Sequence, residues 1–337
     1  MGEGGVVKAV SAEPMTGFDA TLRDRMAGIE SALLAAVESD NPVLNEASRH
    51  IIQAGGKRFR PLLVVLGSQF GKPYDSGSEI ERRVAVGAVV VELTHVASLY
   101  HDDVMDDATV RRGSPSANAR WGNLLAILVG DYLFARATDL VTDLGLDIVR
   151  TYSAMFNRLV RGQIAETVGP AEGVDPREHY LQVLADKTAA LISTSARVGA
   201  MIGGADPATQ DLLADFGEQY GVVFQLSDDI IDITSDETGK TPGTDLREGV
   251  DTLPILLARR STDPADARLL ELLAGERTDP EVDEALGLLR KHPAIEQARA
   301  DVAARAEATR RILDPLPDGP AKQALADLCD SVVTRTT

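Results

Sequence analysis

Two short runs of aspartate are the groups in this chain most able to do chemistry together. The first lies in Leu99-Tyr100-His101-Asp102-Asp103-Val104-Met105-Asp106-Asp107, the second in Gln225-Leu226-Ser227-Asp228-Asp229-Ile230-Ile231-Asp232, and both contain Asp-Asp-x-x-Asp. Each follows a strongly apolar stretch of helical period, so each falls at the C-terminal end of a helix. Residues i and i+4 share a helix face, which sets Asp102 beside Asp106 and Asp228 beside Asp232. Carboxylates gathered there repel one another and meet the negative end of the helix dipole, at a cost of up to ~1 kcal/mol per charge. A hard divalent cation removes that cost. Mg²⁺ fits best, because it keeps several waters and bridges one or two carboxylates to phosphate oxygens. One such run alone reads equally well as a solvated acidic helix end; a second copy behind a second apolar helix favours the metal.

The chain has a formal charge of −18, from 34 basic and 52 acidic residues. That balance argues against nucleic acid as a partner, since backbone phosphates are held by Lys and Arg. An anionic small molecule would need local cations, and four places supply them. They are the loop Gly55-Gly56-Lys57-Arg58-Phe59-Arg60-Pro61, the step Arg111-Arg112-Gly113 after the first aspartate run, Lys187-Thr188, and Lys240 after the second run. Arg grips phosphate through paired N–H groups and Lys acts as a point charge. Neither Gly-Lys step is a nucleotide loop: Lys57 is followed by Arg58, and Thr234 stands where a first Gly would precede Gly239-Lys240-Thr241. His95, seven residues before Asp102, shares its helix face and serves there either as a core residue or as a substrate contact.

The elements that must position these groups are helices. Apolar residues recur every three or four positions in Leu22–Val37, Arg60–Phe70, Ile80–Asp107, Ser116–Leu144, Asp147–Val168, Arg177–Ile202, Thr209–Ile233 and Leu253–Arg260. Gly and Pro steps separate them, and no period-two alternation persists. Aromatics make up only 4% of the chain, which suits helix-on-helix packing better than a β sandwich. We expect residues 1–17 to form a flexible tail and 18–337 a single all-α domain, a helical bundle with a central substrate cavity. After Ser261 the pattern predicts shorter peripheral helices that carry no chemistry. Cys329 is the sole cysteine, so no intrachain disulfide can form. The start lacks the apolar run of a secretory signal, and Val84–Val91 and Leu124–Gly130 fall short of the ~18 residues of a membrane span. The expectation is a cytoplasmic protein.

Taken in order, these motifs resemble the trans-isoprenyl (polyprenyl) diphosphate synthase family, over about residues 45–260. Gly56-Lys57-Arg58-Phe59-Arg60-Pro61 is similar to the family's Gly-Lys-x-x-Arg-Pro loop. His95, the first aspartate run, Arg111-Arg112-Gly113, Gln163, Lys187-Thr188, Gln225, the second run and Gly239-Lys240 then follow in family order. The resemblance implies that Lys57, Arg60, His95 and Arg112 bind isopentenyl diphosphate, and that Arg111, Lys187, Thr188, Gln225 and Lys240 hold an allylic diphosphate. It implies direct Mg²⁺ contacts for Asp102, Asp106 and Asp228, with Asp103, Asp229, Asp232 and Asp245 in support, and about three Mg²⁺ per active site. Some members carry a second Lys after the Gly-Lys loop; here only Arg247 is available. A homodimer is implied, with a transient membrane contact for product release.

The chemistry so implied is ionisation of an allylic C–O bond, attack on the cation by the isopentenyl double bond, and loss of a proton to the released diphosphate. Positive groups preorganised at the leaving oxygens lower the barrier, and Mg²⁺ shared between the two aspartate runs joins Arg111, Lys187 and Lys240 in that task. Thr188 and Gln225 either stabilise the cation through oxygen dipoles or make ordinary helix hydrogen bonds. Ala97 and Ser98, one turn below Asp102, are small and leave room for a growing chain, so the product expected is about C30 to C50. Met155 and Phe156 are read as either tunnel floor or plain core. The rival readings are a class I terpene cyclase, a geranylgeranyl diphosphate synthase of the same family, a non-catalytic subunit of a heteromeric synthase, and an acidic helical scaffold. The first lacks need of the Lys57/Arg60 loop, and non-catalytic subunits typically lose the aspartate runs.

Overall fold

The computed structural model describes residues 17–234, 242–275 and 277–336. In chain order the helices are α1 (Gly17–Ala36), α2 (Pro42–Gln53), α3 (Phe59–Ser68) and α4 (Glu79–Met105). A two-residue hairpin, β1 (Val110–Arg111) and β2 (Ser114–Pro115), precedes α5 (Ala117–Trp121), α6 (Asn123–Thr142) and α7 (Leu146–Val168). Then come α8 (Pro176–Val183), a π-helical stretch (Leu184–Ala189), α9 (Ala190–Gly203), α10 (Pro207–Thr234), α11 (Thr244–Glu248) and α12 (Leu253–Ala258). The series closes with α13 (Ala267–Leu273), α14 (Asp279–Leu289), α15 (Pro293–Ile312) and α16 (Pro320–Thr334). The all-α expectation holds. The expected tail, 1–17, lies outside the described residues apart from Gly17, which opens α1.

The chain divides into two compact units, each discontinuous in sequence. The first takes Met1–Phe156, Leu191–Ala214 and Leu316–Ala324; the second takes Asn157–Ala190, Asp215–Pro315 and Leu325–Thr337.

The first unit is built on α4, which packs along α6 and also meets α3 and α1. Residues Val84, Ala88 to Leu93, Val96, Ala97 and Tyr100 are buried, so α4 is sheathed on nearly every side. By length and hydropathy α4 is the one described helix able to cross a membrane, yet 67% of its apolar window is buried within the protein. It is a core helix. Ser78 caps its start by accepting from Glu81 N at 3.2 Å. Glycines bring α3 and α9 into backbone contact: a Cβ on Gly199 would stand 2.1 Å from the Val64 oxygen.

Three expectations need correction here. The segment Ser116–Leu144 is not one helix; Gly122, at φ 83°, breaks it into α5 and α6. The helix α2 was not among those expected, although Asn41 caps it through Val43 N and Leu44 N and Pro42 starts it. The segment Arg177–Ile202 contains the π-helical stretch, which periodicity near 3.6 does not reveal.

The second unit gathers the latter part of α10 with α11 to α15. A core of Ile233, Leu246, Ile255, Leu272, Val282, Leu289 and Ile295 joins them. The shorter helices expected after Ser261 are found in α13 and α14, but α15 runs for 20 residues and is a correction to that expectation; α12 lies on α15 and α13 on α14.

Candidate active site

In the first unit, Asp102 and Asp103 sit in the last turn of α4 and Asp106 forms its C-cap, its N–H reaching the Asp102 oxygen at 2.8 Å. Asp102 is half-buried and Asp106 exposed, so both can reach an ion in solvent. Asp103 is different. It is fully buried, and Arg111 on β1 donates to its Oδ1 from both Nε and Nη2 at 2.6 Å. Its Oδ2 is buried with no hydrogen-bond partner among the described residues. Burial pushes the Asp103 carboxyl up, against the pull of Arg111. Arg111 reaches it because the hairpin turns on Arg112 and Gly113 at φ 53° and 75°, the two left-handed residues that a type I′ turn requires.

The cations of this unit gather over one glycine. A Cβ on Gly56 would lie 2.8 Å from Arg58 Nη1 and 2.9 Å from Arg112 Cζ, so only glycine lets both guanidinia pass. Arg58, itself left-handed at φ 47°, is tied down by Glu30 at 2.6 and 2.7 Å, by Glu92 at 3.1 Å and by the Ile52 oxygen at 2.7 Å. It is a frame on which Lys57 and Arg60 are hung. Arg112 donates to the oxygens of Ile51 and Gly55. Burial draws Arg60 down to about 10, with Glu92 opposing and Arg112 adding to the fall, and its Nε has no hydrogen-bond partner among the described residues. Burial, then Arg60 and Arg112, hold His95 well below the ordinary imidazole range, so it is neutral at pH 7. Lys57 is exposed at the rim.

Beneath the aspartates, Ala97 is fully buried and its oxygen abuts Gly130 of α6, while Ser98 is half-buried and donates to the His95 oxygen at 2.8 Å. A run of rings starts beside Asp102. His101 meets Phe134 at 5.5 Å, Phe134 meets Phe156 edge-on at 4.9 Å, and Phe156 stacks on Tyr152 at 6.3 Å. Met155 is buried next to Phe156.

In the second unit the matching residues have other companions. Asp229 is 3% exposed and accepts from the Tyr180 hydroxyl and, at 3.0 Å, from Gln225 Nε2. Burial pushes its carboxyl up to about 7, against those two hydrogen bonds. The Gln225 amide nitrogen is therefore engaged in a helix contact four residues on. Asp228 meets Arg335 Nη1 at 2.9 Å. Asp232 accepts from Thr244 N and Asp245 N, both at 3.3 Å, and so fastens the start of α11, which carries Asp245. Lys187 lies in the π-helical stretch with Thr188 and pairs with Glu166, which also accepts from Gln163 Nε2 at 3.2 Å. Gly162 makes that approach possible, since a Cβ there would stand 2.4 Å from Lys187 N. Arg247 is committed to Asp279 and Asp283 of α14. Lys240 lies outside the described residues.

Sequence reading missed Glu166, Tyr180, Arg335 and the pair Glu30/Glu92. Of these only Glu92 leaves a signal in the sequence, as an acid in the middle of the Val-rich stretch before His95. The segments after Ser261, in which no chemistry was expected, bring Arg335 into an ion pair with Asp228.

The donor set suits Mg²⁺. All donors are carboxylate oxygens, and Asp103 keeps a buried oxygen with no hydrogen-bond partner among the described residues. Among the described residues no three of His, Cys, Asp or Glu converge to hold an ion by themselves.

A family model for polyprenyl synthetase matches residues 41–289. The chain belongs to the polyprenyl synthetase family. The nonaprenyl diphosphate synthase of Mycobacterium tuberculosis is 47% identical over 321 residues, covering 94% of each chain. Among solved structures, the geranylgeranyl pyrophosphate synthase of Corynebacterium glutamicum, complexed with calcium and isoprenyl diphosphate, is 42% identical with a TM-score of 0.83. It covers 96% of this chain and 98% of that one. The polyprenyl synthase of Caulobacter crescentus, also complexed with calcium and isoprenyl diphosphate, is 30% identical, has a TM-score of 0.86 and covers both chains fully. The Asp-Asp-x-x-Asp runs and the Gly56 loop thus belong to a prenyl synthetase, and the all-α fold is that of its polyprenyl synthase neighbours.

Proposed function

We propose that this chain is a trans-polyprenyl diphosphate synthase, condensing isopentenyl diphosphate head to tail with an allylic diphosphate in a cytoplasmic, Mg²⁺-dependent reaction. The observation that carries the reading is the crowding of Arg58 and Arg112 at Gly56, with Arg60 close enough to feel Arg112 and keeping a buried Nε without a hydrogen-bond partner among the described residues, in a chain of charge −18. Arg58 already has Glu30 and Glu92, but Arg60 and Arg112 are drawn down by burial, and cations so desolvated are costly unless an anion completes them.

Lys57, Arg60 and Arg112 would hold the diphosphate of isopentenyl diphosphate, with neutral His95 beside them. Arg111, Lys187 and Lys240 would meet the allylic diphosphate, and Asp102, Asp106 and Asp228 would hold about three Mg²⁺ with Asp103, Asp229 and Asp232 in support. The metal supplies positive charge to the leaving oxygens. When the allylic C–O bond breaks, its electron pair leaves with diphosphate. The isopentenyl double bond then attacks the cation, and the proton released goes to the departed diphosphate. Lys187 must exchange Glu166 for substrate phosphate in that sequence.

The similarity to a nonaprenyl synthase supports a product of about C30 to C50, and small side chains at Ala97 and Ser98 leave depth for it. The similarity to a geranylgeranyl synthase keeps C20 as the second reading. The ring run from His101 to Tyr152 is the proposed floor. Exposed Leu124, Ile127 and Leu128 on α6, at 75%, 40% and 53%, support a homodimer. A test is incubation with Mg²⁺, farnesyl or geranylgeranyl diphosphate and labelled isopentenyl diphosphate, followed by dephosphorylation and chromatography. A ladder ending between C30 and C50 is expected, and Phe156→Ala should lengthen it; a hydrocarbon made from the allylic substrate alone would overturn the reading. An unchanged ladder in Phe156→Ala removes the floor.

A further inference from the structure

Arg335 lies one residue beyond α16, and its guanidinium is held by a single face of α10. Nη2 donates to the Phe224 oxygen at 2.7 Å, Nε donates to Ser227 Oγ at 2.8 Å, and Nη1 meets Asp228 Oδ1 at 2.9 Å. Its Cζ stands 4.3 Å above the Phe224 ring. Ser227 is fully buried and returns the contact by donating to the Val332 oxygen at 3.3 Å. Positions 224, 227 and 228 are i, i+3 and i+4, which form one patch on a helix. Such a fork over three neighbouring acceptors uses the planar donors of Arg, and a Lys could not reproduce it.

The partner it selects is Asp228, the leading carboxylate of the second aspartate run. A guanidinium fixed on one oxygen sets the rotation of the carboxylate and limits it to coordinating through the other. Groups that hold metal ligands in this way raise affinity by removing the cost of ordering them.

We propose that Arg335 is a positioning residue that orients Asp228 for one-oxygen coordination of a divalent cation, making the end of α16 part of the metal site. The proposal rests on the reading of Asp228 as a metal ligand. Arg335 itself touches neither metal nor substrate.

The test uses the full chain with inorganic diphosphate and Mn²⁺ as the probe, free Mn²⁺ being read by electron paramagnetic resonance. Arg335→Ala should weaken Mn²⁺ binding by about 10- to 100-fold, and Arg335→Lys should recover part of that loss. Phe224→Leu, which keeps the ion pair and removes the ring, should show a smaller loss. Ser331→Ala, on the same helix and removing only a hydroxyl that donates to the Leu328 oxygen at 2.8 Å, should leave affinity unchanged. In turnover, the Mg²⁺ concentration for half-maximal rate should rise in Arg335→Ala while KM for isopentenyl diphosphate stays put. Unchanged or tighter Mn²⁺ binding in Arg335→Ala and Phe224→Leu, with helicity retained, overturns the proposal and makes Arg335 a plain tether or a rival cation. Separately, if Asp228→Asn binds Mn²⁺ as the parent does, the metal reading of Asp228 falls, and this role for Arg335 falls with it.

Discussion

The two Asp-Asp-x-x-Asp runs are spelled alike and are built differently. In each the second aspartate is buried, Asp103 at 0% and Asp229 at 3%. Asp103 is compensated by a full charge, Arg111, brought up on a hairpin. Asp229 is compensated by neutral donors, a tyrosine hydroxyl and a glutamine amide. The flanking residues diverge as well: Asp106 ends a helix in solvent, whereas Asp232 fastens the start of another. A short motif thus fixes where carboxylates stand, and the surrounding fold decides how each is charged.

The comparison can be broken most sharply by removing the charge that serves only one run. Arg111→Met should strand the Asp103 carboxylate in the core and cost about 3–5 kcal/mol, measured by urea unfolding without metal. An effect below ~1 kcal/mol would mean that Asp103 is not held as an ion. Next in size is the same isosteric exchange made at both sites. Asp103→Asn should cost about 2 kcal/mol through loss of charge-assisted bonds, while Asp229→Asn should change stability by less than about 1 kcal/mol. Equal costs would erase the distinction. The smallest effect concerns His95 among its arginines. Its folded pKa lies well below 6.5, so the stability it contributes is present above pH 6.5 and is lost as pH falls towards the folded value. Unfolding free energy should therefore decline by about 1 kcal/mol per pH unit between pH 6.5 and 5, and His95→Gln should flatten that slope.

What could be read from the sequence follows the range of the interaction. Asp102 with Asp106, and the order of the cationic motifs, are local patterns, and the all-α fold and the family are legible from such patterns. Helix α2 is also legible, through the Asn41-Pro42 start signal. By contrast, Tyr180 finds Asp229 49 residues away, and nothing in either neighbourhood announces the pairing. Arg335 likewise reads as one more charged residue at a helix end until the packing of α16 carries it to Phe224, Ser227 and Asp228. The split of Ser116–Leu144 at Gly122 shows the converse: the apolar period continues through a residue whose left-handed φ ends the helix.

The threading of the two units bears on how the protein is made. The first unit takes segments from three separated stretches, the last being Leu316–Ala324, and the second draws on residues up to Thr337. A ribosome moving at roughly 5–20 residues per second therefore exposes α4 and its Val-rich surface long before the final pieces of either unit exist. The helices α1, α3 and α6 that pack on α4 all end by Thr142, so a nascent chain can cover much of that surface within roughly two to eight seconds of α4 emerging, while completion of the unit waits for Leu316–Ala324.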